Sequence, residues 1–403
     1  MEPSTSFDTY YKEIEGELRT NILPFWDKTI DLENGGFFGR ILNNGEVKKK
    51  SPKASVLNTR ILWTYSAVYR KFREKRYMEL AQRAYSYLKD FFYDKEKGGI
   101  FWLLDCKGNP IDTKKQIYAQ AFCLYALSEF YKIYREKEVL DWTSEIFELI
   151  EKYSFDPEYL GYFEAMDRNW NWIEDVRLSE KDQNERKTTN THLHLLEAYT
   201  NFLEVKKDER VKTRLKQLVQ IFLDKIIDPA TGHFNLFFDE KWNKKSQVFS
   251  YGHDIEGSWL IWKASSLLGD ESLKRKVKEA SLRLAEATLR DGVDSSGGVM
   301  NEGNIMGVFD SDKHWWVQAE AMVGFFNAFE LSGDDKFFNA SWDSWNFIKK
   351  YIIDYKNGEW FFRVNREGIP YYEEDKVGPW KCPYHNSRAC LELMERLGPF
   401  RNN

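Results

Sequence analysis

Three of the six histidines in this 403-residue chain sit beside other groups able to bind or move a proton. In "SYGHDIEGSWLIW" (250–262), His253 and Glu256 are three residues apart and share one face of a helix. In "NTHLHLLEAYTN" (190–201), Asn190 and His194 share a face in the same way, while His192 points to nearly the opposite side. His385 lies in "GPWKCPYHNSRACLE" (378–392), close to Trp380, Asn386 and Arg388. An imidazole titrates near pH 6.5, so at neutral pH one ring serves as base while another serves as acid. Two such rings across a pocket suit taking a proton from the carbon beside an aldehyde and returning it from the opposite face. Arg60 would steady the enediolate oxyanion formed in between. His192, His233 and His314 read as structural or surface residues, His233 because it stands at a glycine position of a turn.

Something must bring these segments together, and the sequence repeats. An Asp followed four or five residues later by Gly, then by aromatic or apolar alternation, starts at 31, 94, 156, 228, 294 and 354, at intervals of 63, 62, 72, 66 and 60. Before the copies lie amphipathic stretches with a charged face, such as 77–94, 272–291 and 336–354. After each comes a stretch apolar nearly all round, such as "TRILWTYSAVYRKF" or "WWVQAEAMVGFFNAF". An apolar stripe covers a core, whereas a helix apolar on every side lies within one. Six buried helices alternating with six surface helices hide all these faces by closing into an all-α double ring, an (α/α)6 barrel, as one domain over 1–403. An open solenoid fits less well, because no terminal repeat has a polar outer face to cap it. The Gly-aromatic motifs become turns and short β-ribbons.

In such a ring the N-terminal ends of all inner helices converge. The expected rim carries Asn58 and Arg60, Tyr118 and Gln120, Asn190 and His194, His253 and Glu256, Trp315, Trp316 and Glu320, then Trp380, His385, Asn386 and Arg388. Exposed helix N–H groups add partial positive charge there, favouring a ligand on which negative charge develops. Glu256 is expected to orient His253 or hold a substrate hydroxyl. His194, His253, Glu256 and His385 are also zinc-type ligands, but no short spacing such as His-Glu-x-x-His is present, so no metal is expected. A glycoside hydrolase would use Glu256 and Glu320 and leave the histidines without a task. A binding module would account for the aromatic residues only.

Composition sets outer limits. The formal charge is −5 with basic and acidic residues interleaved, which disfavours nucleic acid as a partner. No apolar stretch approaches the length of a membrane span and the N-terminus lacks a signal pattern, so a cytoplasmic location is expected. Cys106, Cys123, Cys382 and Cys390 lack metal or disulfide spacing and read as reduced thiols. With 15 Trp and 22 Tyr there is ample aromatic surface for stacking on sugars. A small-molecule sugar is the expected partner, and the expected assembly is a monomer or weak homodimer.

The segments "NTRILWTYSA" (58–67), "LSEKD" (178–182), "NTHLHLLEAYTN" (190–201), "YGHDIEGSWL" (251–260), "WWVQAEAMVGFFNA" (315–328) and "GPWKCPYHNSRACLE" (378–392) resemble the N-acylglucosamine 2-epimerase superfamily over essentially the whole chain. Within it they are most similar to the cellobiose 2-epimerase group. The resemblance implies an (α/α)6 barrel that inverts carbon 2 of the reducing-end glucose of β-1,4-linked disaccharides, without metal or nucleotide cofactor. It implies His253 and His385 as the acid/base pair, with His194 assisting ring opening. Arg60 and Asn190 would hold sugar oxygens, and Glu256 would support His253 or a hydroxyl. Trp316 and Trp380 would stack on the sugar, with Tyr118 and Asp182 as further contacts. Residues 168–187 are a candidate lid. The superfamily also contains monosaccharide 2-epimerases and aldose–ketose isomerases, which use the same enediolate.

Overall fold

The computed structural model describes residues 3–402, with side chains described from Phe7 to Arg401. Outer and inner helices alternate along the chain. The outer set is α1 (Pro3–Glu17) with its short continuation α2 (Leu23–Trp26), then α4 (Lys75–Tyr87), α6 (Lys137–Tyr153), α8 (Glu209–Ile221), α10 (Glu271–Ala287) and α12 (Asp335–Phe347). The inner set is α3 (Ser55–Phe72), α5 (Ile117–Ile133), α7 (Thr189–Val205), α9 (Tyr251–Leu268), α11 (Trp315–Ser332) and α13 (Tyr384–Leu397). Each inner helix packs on the next, and α13 packs on α3, so the inner ring closes. The fold is the expected (α/α)6 barrel. Among the described residues no helix is long and apolar enough to cross a membrane.

The inner helices are buried on nearly every side over their first three turns, as α5 shows from Ile117 to Phe130. The outer helices bury a stripe: Tyr77, Leu80, Ala81 and Ala84 of α4 follow the helical period. Five outer elements end in one wider π-turn: Leu18–Ile22, Leu88–Phe92, Phe222–Ile226, Thr288–Gly292 and Ile348–Ile352. The amphipathic pattern therefore outruns the α-helices by about one turn.

The recurring Asp is a local anchor. Asp31 Oδ1 accepts the backbone N–H groups of Glu33 and Asn34, folding the turn, while Oδ2 accepts Lys53 Nζ at 2.8 Å. Asp94–Lys115, Asp156–Lys187 and Asp294–Lys313 repeat the pair at 3.1, 2.7 and 2.7 Å. These lysines stand two residues before an inner helix, so each buried ion pair fixes where that helix begins. Residues 53–54, 115–116, 187–188, 249–250 and 313–314 then pair antiparallel with the loop of the following repeat. Neighbouring mouths of the ring are thus laced together.

In α5, α7, α9 and α11 the fourth residue ties down the turn that follows the preceding outer helix. Gln120 accepts the Ile100 N–H and donates to its C=O, and Gln318 does the same to Val299. His192 accepts the Tyr162 N–H at 2.9 Å, and Asp254 accepts the Phe234 N–H at 2.7 Å. The turns must leave room: a Cβ on Gly161, whose φ is +83°, would lie 2.8 Å from His192 Nε2. In the fourth repeat that glycine is His233, which instead reaches Asp254 and Asp291. His192 and His233 are structural, as expected.

Burial holds the His192 imidazole down at about 3, well below its ordinary value near 6.5. The unfolded chain therefore takes up a proton that the folded chain refuses, so this contribution is intact above about pH 6.5 and is lost as the pH falls toward 3. We expect His192→Gln, which copies Gln120 and Gln318, to fold normally and to lose less stability on acidification, by up to about 1.4 kcal/mol per pH unit in that window. Thermal unfolding at pH 7.5, 6 and 5 checks this; parallel curves for variant and parent would refute it.

Candidate active site

A cavity of about 520 Å³ opens at the N-terminal ends of the inner helices. Its lining contains Arg60, Tyr118, Asp182, Asn190, His194, His253, Glu256, Trp316, Trp380 and His385, the ten residues to which the family resemblance assigns a role. The helical period explains much of the gathering. Arg60, Phe122, His194, Glu256 and Glu320 are each the sixth residue of their helix, so all five turn toward the axis. Five of the expected rim residues do not line the cavity: Asn58 donates to the Ala54 carbonyl, Gln120 to that of Ile100 and Asn386 to Glu359, while Glu320 and Arg388 are bonded to each other.

Each of the three imidazoles is tethered through Nδ1, which leaves Nε2 for a ligand. His385 Nδ1 lies 2.7 Å from Glu320 Oε1, His194 Nδ1 lies 3.1 Å from Glu197 Oε2, and His253 Nδ1 lies 2.8 Å from Ser250 Oγ. A carboxylate can only accept, so His385 and His194 carry their proton on Nδ1 when neutral. The Trp316 indole touches both His253 and His385, at 5.0 and 5.6 Å between ring centroids. The two imidazoles are thus no further apart than the sum of these distances. Arg60 donates to the Tyr118 hydroxyl at 2.8 Å and lies over the Phe122 ring, while its Nε has no hydrogen-bond partner among the described residues. Trp380 packs near Tyr118 and Trp102 at the outer side of the pocket.

Beneath the rings lies a charge network that the sequence did not reveal. The fully buried Arg388 guanidinium donates at 2.6 Å to both Glu256 and Glu320, and also to Glu197 and the Tyr384 hydroxyl. Of the two expected roles of Glu256, supporting His253 or holding a substrate hydroxyl, no bond to His253 forms among the described residues; Glu256 accepts from Arg388 and still lines the cavity. Burial, reinforced by neighbouring Glu320, pushes the Glu256 carboxyl up to about 7. Burial would also raise Glu197, but Arg388 and His194 outweigh it and hold that carboxyl down at about 2. Glu256, Glu320 and His385 offer ligand-type atoms within 4.8 Å of one another, a grouping that could hold a cation. Arg388 already supplies the positive charge between the two carboxylates.

Burial lowers the proton affinity of His253 to about 3. Burial, together with the Arg60 and Arg388 guanidinium groups, holds His385 well below its ordinary range. His314, passed over in the sequence, lines the mouth, where burial and Arg363 lower it to about 4. Of the candidate lid, Arg168 is bound to Asp94 and Trp170 is packed with its indole N–H on the Lys97 carbonyl. Only Ser179, Lys181, Asp182 and Gln183 of that stretch reach the cavity, with Asp182 accepting from Ser179.

Closed double ring and imidazole-lined mouth together define an enzyme of the (α/α)6-barrel class. The chain belongs to the N-acylglucosamine 2-epimerase (GlcNAc 2-epimerase) family, whose profile matches residues 36–389. It is 48% identical to the cellobiose 2-epimerase of Bacteroides fragilis over 385 residues, covering 95% of this chain and 98% of that one. It is 42% identical to the cellobiose 2-epimerase of Ruminococcus albus, covering 95% and 98%. The solved cellobiose 2-epimerase of Bacillus thermoamylovorans superposes with a TM-score of 0.93 at 40% identity, covering 96% of this chain and all of that one.

Replacing Arg388 with Met removes the charge facing three buried carboxylates. We expect a loss of about 3–5 kcal/mol in urea unfolding, the usual consequence of orphaning buried charge. Near-parental stability would show that the carboxylates do not depend on this guanidinium.

Proposed function

We propose that this chain is a cellobiose 2-epimerase, interconverting the reducing-end glucose and mannose units of β-1,4-linked disaccharides. The observation that carries the reading is that imidazoles from α7, α9 and α13 share one cavity with Arg60, each tethered through Nδ1. Its support is the family membership and the 48% identity to a cellobiose 2-epimerase over nearly the full length. A cavity of about 520 Å³ also offers more room than one pyranose ring needs.

With the sugar ring open, one imidazole of the His253–His385 pair takes the proton from carbon 2, and the aldehyde becomes an enediolate. Arg60 and the converging helix N-termini stabilise the oxyanion. The other imidazole, neutral in the empty cavity and charged once the substrate is bound, gives its proton to the opposite face of the same carbon. One ring has gained a proton and the other has lost one, and exchange with water restores them once the sugar leaves. His194 assists ring opening and Asn190 holds a sugar hydroxyl. Trp316 and Trp380 present stacking faces, and Tyr118 and Asp182 complete the contacts. The whole chain works as one catalytic unit, a monomer or weak homodimer of the cytoplasm, on a sugar alone.

The hydrolase alternative meets a geometric obstacle. Its two carboxylates must flank the scissile bond, roughly 5–9.5 Å apart. Glu256 and Glu320 both point into one guanidinium instead.

Incubation with cellobiose in deuterium oxide should place deuterium on carbon 2 of glucosyl-mannose without releasing glucose, followed by NMR and chromatography. Free glucose from unlabelled disaccharide would favour hydrolysis, and a ketose product would favour aldose–ketose isomerisation. His253→Ala and His385→Ala should each lower kcat by about a thousandfold or more with the circular dichroism spectrum unchanged. Near-normal turnover in either would remove the two-imidazole mechanism.

A further inference from the structure

We propose that Ser250 is a positioning residue of the epimerisation, holding His253 through Nδ1 so that Nε2 meets carbon 2; this rests on the reading of the chain as a 2-epimerase. Ser250 immediately precedes α9, where a serine ordinarily accepts a backbone N–H of the first helical turn. Thr188 does that for α7, accepting from the Thr191 N–H at 3.1 Å. Ser250 makes no such bond, although it is buried at the same place before its helix. Its hydroxyl lies 2.8 Å from the His253 ring instead. A good helix cap has been diverted to a catalytic imidazole.

The partner's chemistry matters. His385 and His194 are backed by carboxylates, whereas His253 is backed by a neutral group. A hydroxyl accepts from a protonated Nδ1 and donates to a bare one, so the bond survives whichever way the ring is protonated. That suits an imidazole that gives up a proton in one direction of the reaction and takes it in the other. His194 and His385 act electrostatically on this ring, and the hollows it borders are lined by the carboxylates of Glu256, Asp182, Glu164, Glu302, Glu185 and Asp310, by His314 and by the cations Arg60, Lys181, Arg177 and Arg363. Among the described residues none of these carboxylates bonds the His253 imidazole. Ser250 therefore sets its orientation without adding negative charge where the enediolate forms.

The test compares Ser250→Ala, Ser250→Thr and Ser250→Asp in the full chain with cellobiose, reading kcat, KM, pH profiles and the 15N NMR signals of the His253 ring. Alanine should lower kcat about tenfold or more with KM within about twofold, and both neutral tautomers should appear in the spectrum. Threonine should restore most of kcat. Aspartate should move the alkaline limb of the profile to higher pH, because a carboxylate behind the ring stabilises the imidazolium. An alanine variant with parental kcat and limbs, a loss confined to KM, or an aspartate variant with an unmoved limb would each overturn the proposal. Parental protein that fails to exchange the carbon 2 hydrogen would sink the epimerase reading instead. Parental exchange with indifferent Ser250 variants would sink this inference alone.

Discussion

A single buried guanidinium organises the centre of the barrel. Arg388 reaches from α13 to Glu197 on α7, Glu256 on α9 and Glu320 on α11, so four of the six inner helices meet at one charge. Taking these groups out of water costs several kcal/mol for each ion, and only direct hydrogen bonds offset it. Lysine would not serve, because its point charge lacks the planar fork that meets carboxylates on two sides. The Trp259 and Tyr384 rings close over the guanidinium at 4.9 and 4.4 Å and shut out water. The remaining excess of negative charge falls on Glu256, which burial and Glu320 drive toward its neutral form. Two of the carboxylates also hold imidazoles: Glu320 Oε1 is shared between Arg388 and His385, and Glu197 turns its second oxygen to His194. Charge balance and ring orientation are therefore one constraint.

Around this centre the repeats divide labour by position along each helix. The fourth residue faces outward to a turn and the sixth faces the axis, about 200° apart on an α-helix. His192 and His194 show the consequence within one segment. The first accepts a backbone N–H in a dry interior and the second lines the cavity. Because the same backbone address recurs in the ring, changing the sixth residue changes the chemistry and leaves the scaffold alone. Arg60, Phe122, His194, Glu256 and Glu320 occupy that address in successive repeats.

This logic also accounts for what could be read from the sequence. Alternating stripe-apolar and all-apolar segments imply a closed double ring, and the ring alone brings the N-terminal residues of the inner helices to one mouth. Partners were harder, because they come from other helices. The i, i+3 spacing of His253 and Glu256 suggests a local pair or a hold on a substrate hydroxyl, and gives no sign of the bond to Arg388, 132 positions away. Glu320 and His385 are separated by 65 positions and nothing local links them. Gln120 looked like a rim residue because a helix start gives no sign of whether its side chain turns back to the preceding loop. Ser250 is hidden for the opposite reason: a serine before a helix already has an ordinary explanation.

The electrostatics of the mouth favour an enediolate over other intermediates. Arg60, Arg388 and the helix N-termini create a positive field that, with burial, keeps His385 neutral in the empty cavity. A neutral imidazole is a competent base, and the field that denies it a proton at rest also favours an oxyanion beside it. In the proposed reaction, the substrate would gain a negative charge as the proton leaves carbon 2, offsetting the field and making the new imidazolium tolerable at the same moment. Proton transfer and oxyanion formation are thus coupled through one set of charges. These interactions are stronger in the transition state than before it, which is the condition for lowering the barrier and not merely tightening binding. Glycosidic cleavage through an oxocarbenium ion would develop positive charge in that same field, and the cavity would oppose it.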